Sequence, residues 1–303
     1  MIRALAAAKI NLYLDVLRRR EDGYHDIETV YQPVGLWDEL IFEAHPGGIE
    51  LSGDEPSIPW NENNLCFRAA RAVLDKAGCA GGLRISVAKG IPSGAGLGGG
   101  SSDAAATLIA ANMIHKLGLS QAELVKIAFE LGSDVPFFIR GKPAIGRGRG
   151  EILDEIPGLS KGWILIVKPD VSISTRWAYQ NLNLVLTRGK GATTLTALLM
   201  GLDGFPGTRL KTYNSFEAGV TEHFPSVAGV LAGLRKGKPI LSSLSGSGSA
   251  CFAIFKEESE AVEIGERFSG EGFFTKVVQP TNQVFRFTVE GAAEKSRGAH
   301  GDH

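Results

Sequence analysis

The stretch Pro92-Ser93-Gly94-Ala95-Gly96-Leu97-Gly98-Gly99-Gly100-Ser101-Ser102-Asp103 decides how this chain reads. Five of the seven residues from Gly94 to Gly100 are glycine. Such a run costs conformational entropy and offers no side chain for packing. It belongs where the backbone must approach another group closely or adopt positive φ. A turn or hinge needs one or two glycines, so five point to a ligand. Upstream, Leu83-Arg84-Ile85-Ser86-Val87 alternates as a strand. Downstream, Ser101 and Ser102 read as N-caps of an Ala-rich helix over 101–116, with Ala105, Leu108, Ile109 and Met113 on one face. A strand, a glycine loop and a helix N-terminus make an anion site. Unpaired N–H groups point outward there, and the macrodipole adds roughly half a positive charge. The serine hydroxyls can reach a phosphate oxygen or its Mg²⁺.

Which phosphate ligand the loop takes depends on its context. Gly94, Gly96 and Gly99 satisfy G-x-G-x-x-G, but a dinucleotide fold wants a strand after the helix, ending in an acidic residue. Here Ser120 to Leu131 has helical spacing and Glu123 lies inside it. A P-loop closes with Gly-Lys-Ser/Thr, whereas this loop closes with Gly100-Ser101-Ser102. Neither the Val-Ala-Ile-Lys strand nor the His-Arg-Asp loop of protein kinases is present. The loop is a different nucleotide-phosphate cradle.

Around it, strand-like runs occupy 2–8, 12–17, 27–35 and 38–43, with breaks expected at Lys9/Asn11 and Leu36-Trp37 and a turn at Asp22-Gly23. Helices are expected over 63–77 and 121–131. The pattern restarts near Pro157-Gly158 with the strand Trp163-Ile164-Leu165-Ile166-Val167, followed by helical stretches. Ser242 to Gly248 forms another glycine/serine loop, leading to a strand at 250–255, a helix near 257–268 and strands near 273–278 and 284–289. Strands cluster first and helices come in groups, which favours α+β.

The chain has 303 residues, room for two domains, and a net charge of −1. No global basic field draws it to nucleic acid or an anionic membrane. Glycine makes up 39 of the 303 residues, about 13% against a typical ~7%. Cys66, Cys79 and Cys251 are too scattered for a disulfide framework or metal cluster and read as thiols in a reducing cytosol. The apolar start Ala4-Leu5-Ala6-Ala7-Ala8 is interrupted by Lys9 and Asn11 too early for a secretory signal. The expected setting is cytoplasmic.

Pro92 to Ala105 resembles the ATP-binding signature of the GHMP kinase superfamily. Two further segments are similar to one branch of it, whose acceptor is a methylerythritol linked to cytidine diphosphate. These are Ala8-Lys9-Ile10-Asn11-Leu12, continuing to Arg19-Arg20-Glu21-Asp22-Gly23-Tyr24-His25, and Leu131-Gly132-Ser133-Asp134-Val135-Pro136-Phe137-Phe138. Leu244-Ser245-Gly246-Ser247-Gly248-Ser249-Ala250 resembles the superfamily's third motif, which lies close to the phosphate loop. The resemblance spans about residues 1–290. It implies a domain over 1–158 like ribosomal protein S5 domain 2, a ferredoxin-like domain over 159–290, an active site between them and a disordered tail over 291–303.

The same resemblance implies site residues. ATP, with Mg²⁺, would be held by Pro92, Ser93, Gly94, Ala95, Gly96, Leu97, Gly98, Gly99, Gly100, Ser101 and Ser102, with Lys89 near the adenine. Lys9 would face the reacting phosphate and pair with Asp134, the base for the acceptor hydroxyl. On residue pattern alone, Lys9 also fits a strand-edge lysine and Asp134 a turn cap. Asn11 would lie beside the erythritol end. Tyr24 and His25 would hold the cytosine, with Tyr179 as the second stacking ring and Trp177 as its competitor. His45, His115, His223, His300 and His303 lack metal-ligand spacing, so no protein metal cluster is expected. Gly146-Arg147-Gly148-Arg149-Gly150 reads as part of a hairpin, and Gly141-Lys142-Pro143-Ala144 departs from the family's small-residue run. The expected partner is a small molecule, and the chain a monomer or homodimer. A homoserine or mevalonate kinase and a catalytically silent binding module are the rivals.

Overall fold

The computed structural model describes residues 1–182, 192–201 and 210–290; the expected disordered tail lies outside them. Two long antiparallel strands open the chain, β1 (Ile2–Arg19) and β2 (His25–His45). Their turn contains Gly23 at φ +84°, as the Asp22-Gly23 pair suggests. The expected break at Lys9/Asn11 does not occur. Ala8, Ile10 and Leu12 enter the core while Lys9 and Asn11 point to the opposite face, which is the alternation any strand has. The Leu36-Trp37 break is a register shift: Ala7 pairs with Trp37 and Ala8 with Val34, so β2 bulges without ending.

There follow β3 (Ile49–Gly53), α1 (Leu65–Lys76), β4 (Gly82–Ala88), α2 (Gly99–Ile114), α3 (Gln121–Leu131), α4 (Val135–Arg140), β5 (Ala144–Gly148) and β6 (Ile152–Glu155). Asn64 caps α1 by accepting from the Cys66 N–H at 2.9 Å, and Ser120 with Glu123 forms a capping box on α3. The spacing did not reveal α4, which carries Pro136 in its first turn, where the missing N–H costs nothing. The second half contains β7 (Trp163–Lys168), α5 (Thr175–Gln180), α6 (Ala192–Gly201), α7 (Glu217–His223), α8 (Pro225–Lys236), β8 (Leu241–Leu244), β9 (Cys251–Phe255), α9 (Glu258–Gly270), β10 (Phe274–Val278) and β11 (Phe285–Val289).

The first sheet has the order β11-β1-β2-β4-β3, with β5 also on β2 and β6 on β5. The second is antiparallel, in the order β10-β7-β9-β8. The expected boundary near 158 therefore marks a change of sheet and not a full separation, because β11 returns to pair with β1. The strand alternation of β7 explains its apolar run from Trp163 to Val167. Leu165 and Val167 pack with Val230 and Leu234 of α8 and Ile264 of α9, whereas Ile164 and Ile166 share a core with Ile10 and Leu12 of β1. A sheet covered on both faces needs no polar side.

Candidate active site

β1, the segment from Lys89 to α2, the Ser133-Asp134 corner and the β8–β9 turn converge on a cleft of about 1350 Å³. Pockets for one small ligand usually measure ~300–1,000 Å³, so this one has room for two.

The phosphate loop forms one wall. Helix α2 begins at Gly99, with Gly98 in a left-handed conformation (φ +76°) as its cap and no side chain capping it. The serines expected as caps lie inside the first turn. The first helical bond runs from the Ser102 N–H to the Gly98 carbonyl at 2.9 Å, leaving the earlier amides without an intrahelical partner. Ser101 lines the cleft. Ser102 is turned about 100° farther around the helix, fully buried, and its hydroxyl has no partner. Its side chain therefore does not serve the cleft as expected.

The loop is anchored and not slack. Ala95 and Leu97 are buried between its glycines. The Ser245 hydroxyl donates to the Gly96 carbonyl at 2.9 Å, the Ala250 N–H to the Ala95 carbonyl at 3.0 Å, and the Lys9 N–H to the Leu97 carbonyl at 2.9 Å. A Cβ on Gly96 would lie 2.1 Å from the Ser245 carbonyl oxygen, and one on Gly98 would lie 3.0 Å from Lys9 Cγ. Two glycines credited to the ligand by sequence are thus required by the protein's own close contacts. Ser93, Gly94 and Gly100 are the exposed members.

Lys9, only 3% exposed, sits where β1 meets this loop. Its ammonium donates to Asn11 Oδ1 at 2.6 Å and lies 3.5 Å from Asp134 Oδ2. Asn11 Nδ2 donates to Thr29 Oγ1 at 2.7 Å, and that hydroxyl donates to the Tyr13 carbonyl at 2.7 Å. The Asn11 amide, expected beside the acceptor, therefore acts first as a brace for Lys9. Asp134 precedes α4 but makes no capping bond; its Oδ1 accepts from Tyr31 Oη at 3.1 Å. Burial, and then the Asp134 carboxylate, push the Tyr31 phenol well above its ordinary pKa, so it remains a donor. Both bland readings fail: Lys9 is inside a strand and Asp134 caps nothing.

Farther along, Tyr24, His25 and Tyr179 line the same cleft. The His25 and Tyr179 rings stack with centroids 4.6 Å apart. Burial, and secondarily Arg19, hold the His25 pKa below its ordinary value, which keeps the ring neutral near pH 7. Trp177 packs edge-on against His223 and Phe224 and is not in the lining, so of the two competitors Tyr179 faces the cleft. The exposed Tyr24 ring is covered on one side by the Arg149 guanidinium, 3.5 Å from its centroid. No ring contact joins Tyr24 to Tyr179 among the described residues.

Lys89, expected near the adenine, lines the cleft and sends its ammonium to Asp38 and to Asp103 Oδ2, the latter at 2.7 Å. Burial opposes its charge, but the Asp103 and Asp38 carboxylates outweigh that and raise its pKa. Sequence reasoning missed Tyr31, Arg149, Asp38 and Asp103. Of these, Arg149 left a signal in the Gly146–Gly150 repeat taken for a plain hairpin, and Asp103 closes the glycine stretch itself, with no role read from it. The residues present fit a magnesium nucleotide. Mg²⁺ on phosphate oxygens and water needs few protein donors, and the Ser101 hydroxyl lies at the anion-binding end of α2. Among the described residues no cluster of three or more His, Cys, Asp or Glu forms a protein metal cage, and no helix is long and apolar enough to cross a membrane.

Comparison with known proteins bears on this geometry. The GHMP kinases N terminal domain profile matches residues 64–142, and the GHMP kinases C terminal profile matches 197–273. A 4-diphosphocytidyl-2-C-methyl-D-erythritol kinase of Syntrophus aciditrophicus (strain SB) is 40% identical over 263 residues, covering 87% of this chain and 93% of its own. A crystal structure of 4-(cytidine 5'-diphospho)-2C-methyl-D-erythritol kinase superposes with a TM-score of 0.79 at 34% identity, covering 92% of this chain and 99% of that one. A homoserine kinase from Cytophaga hutchinsonii shares the fold, with a TM-score of 0.71 at 20% identity, covering 95% of this chain and 97% of its own.

Proposed function

The chain belongs to the GHMP kinases and, within them, to the 4-diphosphocytidyl-2-C-methyl-D-erythritol kinases, and on that premise we propose the reaction its cleft performs. The γ-phosphoryl group of ATP, with Mg²⁺, passes to the 2-hydroxyl of 4-diphosphocytidyl-2-C-methyl-D-erythritol, a step of the non-mevalonate route to isoprenoid precursors. One observation carries the reading. The Lys9–Asp134 couple is joined to the anion-binding loop by the Lys9 N–H bond to the Leu97 carbonyl and shares its cleft with Tyr24, His25 and Tyr179.

The chemistry needs positioning and charge neutralisation more than covalent help. The bare amides at the start of α2, with Ser93, Gly94 and Gly100, hold the phosphates. Lys9 meets the charge that spreads over the transferred group, held in line by Asn11. Asp134 is about one-third exposed and turns its remaining lone pairs to the acceptor hydroxyl, orienting it and accepting its proton. Tyr31 and Lys9 fix the carboxylate's plane. Mg²⁺, when bound, neutralises the β- and γ-phosphate oxygens. Tyr24, with the His25–Tyr179 pair, supplies the flat surface and polar edge a cytosine needs, and stacking on such rings contributes about 1–3 kcal/mol per base. The partner is a small molecule, and the enzyme works in the cytoplasm as a monomer or homodimer.

ADP release measured with each acceptor tests this. Turnover is expected with the cytidine-bearing acceptor and not with homoserine or mevalonate. Asp134→Asn should lower kcat by roughly 10²–10⁴-fold. Turnover with homoserine alone, or with no acceptor, overturns the reading.

A further inference from the structure

A buried charge assembly stands at the base of the phosphate loop, where Lys89 and Asp103 also edge the cleft. Asp38 of β2 is wholly buried, and its Oδ1 accepts from the Gly90 N–H at 2.7 Å and the Ile91 N–H at 2.8 Å. Its Oδ2 takes the Lys89 ammonium, which also donates to Asp103 Oδ2 at 2.7 Å. Asp103 is the fifth residue of α2, 3% exposed, and its Oδ1 has no partner. A Cβ on Gly99 would lie 3.1 Å from Asp38 Oδ2, so the same carboxylate sits under the first residue of the helix. Residues 89–91 enter the loop and residues 99–103 leave it. Both ends are therefore tied to one side chain of β2, with Lys89 as the tie.

Two carboxyl groups and one ammonium are expensive to bury, and apolar replacements of such groups often match them in stability. Stability alone gives a poor reason for this arrangement, whereas a fixed span between two loop ends gives a direct one. Ala95 and Leu97 pin the middle of the loop, and at its ends the buried Ile91 side chain lies against Gly99, a contact to which the charged groups add direction. Errors of about 1 Å in such a cradle cost up to ~10²-fold in function.

We propose that the Lys89 ammonium is a positioning group: through Asp38 and Asp103 it sets the distance between the two ends of the phosphate loop. The inference rests on the reading that residues 92–102 hold the ATP phosphates, and its test separates the two. Lys89→Met alone leaves two buried carboxyl groups without their cation and is expected to lower Tm. The double variant Lys89→Met/Asp103→Asn leaves a single carboxylate, Asp38, which keeps its two amide donors, and is expected to recover much of that Tm. Its KM for ATP should still rise roughly 10- to 100-fold, with the acceptor KM unchanged, and binding of a non-hydrolysable ATP analogue should weaken in parallel. Lys89→Arg, which keeps the charge and can bridge both carboxylates, should restore most of the ATP affinity. An ATP KM at the wild-type value in the folded double variant overturns the positioning role, as does failure of Lys89→Arg to improve on it. If the double variant does not fold, the Lys89→Arg comparison and Asp103→Asn, which keeps the Lys89–Asp38 half of the tie, decide by the same ATP-against-acceptor split. Should the wild-type protein fail to bind the analogue, the phosphate-loop reading itself falls.

Discussion

At the scale of single residues, the reacting end of the cleft is a chain of bonds in which each member orients the next. Thr29 holds Asn11, Asn11 holds Lys9, and Lys9 and Tyr31 hold Asp134 from two sides. Lys9 and Asp134 carry motif signatures, so the sequence reached them. Tyr31 carries none: it is one more aromatic in a strand, opposite Asn11 only because of the β1–β2 register. Tyr31→Phe keeps the ring stacked on Phe137 at 4.7 Å and removes only the hydroxyl. A hydrogen bond to a charged group is worth about 1.5–3 kcal/mol. We therefore expect kcat to fall by roughly ten- to a hundredfold, with the ATP KM unchanged, in steady-state kinetics. An unchanged kcat would show that Lys9 alone orients the carboxylate.

At the scale of elements, the loop–helix junction combines two kinds of glycine, and substitution separates them. Gly96→Ala places a methyl 2.1 Å from a backbone oxygen at φ +76°. It should destabilise the fold by roughly 3 kcal/mol or more, read as a lower denaturation midpoint. Gly100→Ala meets nothing nearer than 3.9 Å and gains helix propensity of up to about 1 kcal/mol. Its Tm should hold or rise, while the exposed methyl raises the ATP KM. The Asp103 carboxyl behind this junction is pushed up to about 8 by burial first and then by Asp38, against the opposing pull of Lys89. Below about pH 4 it is protonated in both the folded and the unfolded chain. Between there and about pH 8 the folded chain keeps a proton that the unfolded chain releases, so this group's contribution to stability is lost as pH rises through that window. Denaturant titrations at pH 5 and pH 8 should show a smaller pH dependence in Asp103→Asn than in wild type. The helix and strand sequence around this junction was legible because apolar spacing and glycine stops are local signals. The true cap at Gly98, the inward turn of Ser102 and the Asp38–Lys89–Asp103 tie were not, because each depends on what lies across from it.

At the scale of the whole molecule, the cleft is assembled from segments over a hundred residues apart, and one apolar cluster spans the two sheets that bring them together. Sequence patterning located nearly every strand of the second half, and its suggestion of two separate domains was reasonable for a chain with a restart near Pro157. It could not show that Ile164, Ile166, Phe252 and Ile254 face Ile10, Leu12 and Val34 across the join, nor that β11 crosses back to β1, because pairing partners leave no mark on composition. Further ties reinforce the join: Ser215 Oγ donates to Asp15 at 2.9 Å, and Asn214 Nδ2 donates to the Gly246 carbonyl at 2.9 Å, fastening the third motif to β1. A shared core predicts shared melting. Phe252→Ala, at a fully buried position of that core, should cost about 3–5 kcal/mol and lower the stability of both sheets together. Calorimetry should then show one transition in wild type and variant alike, with equal calorimetric and van't Hoff enthalpies. If the variant splits into two transitions, one at the wild-type temperature, the halves are thermodynamically separate and the cleft lies between independent bodies.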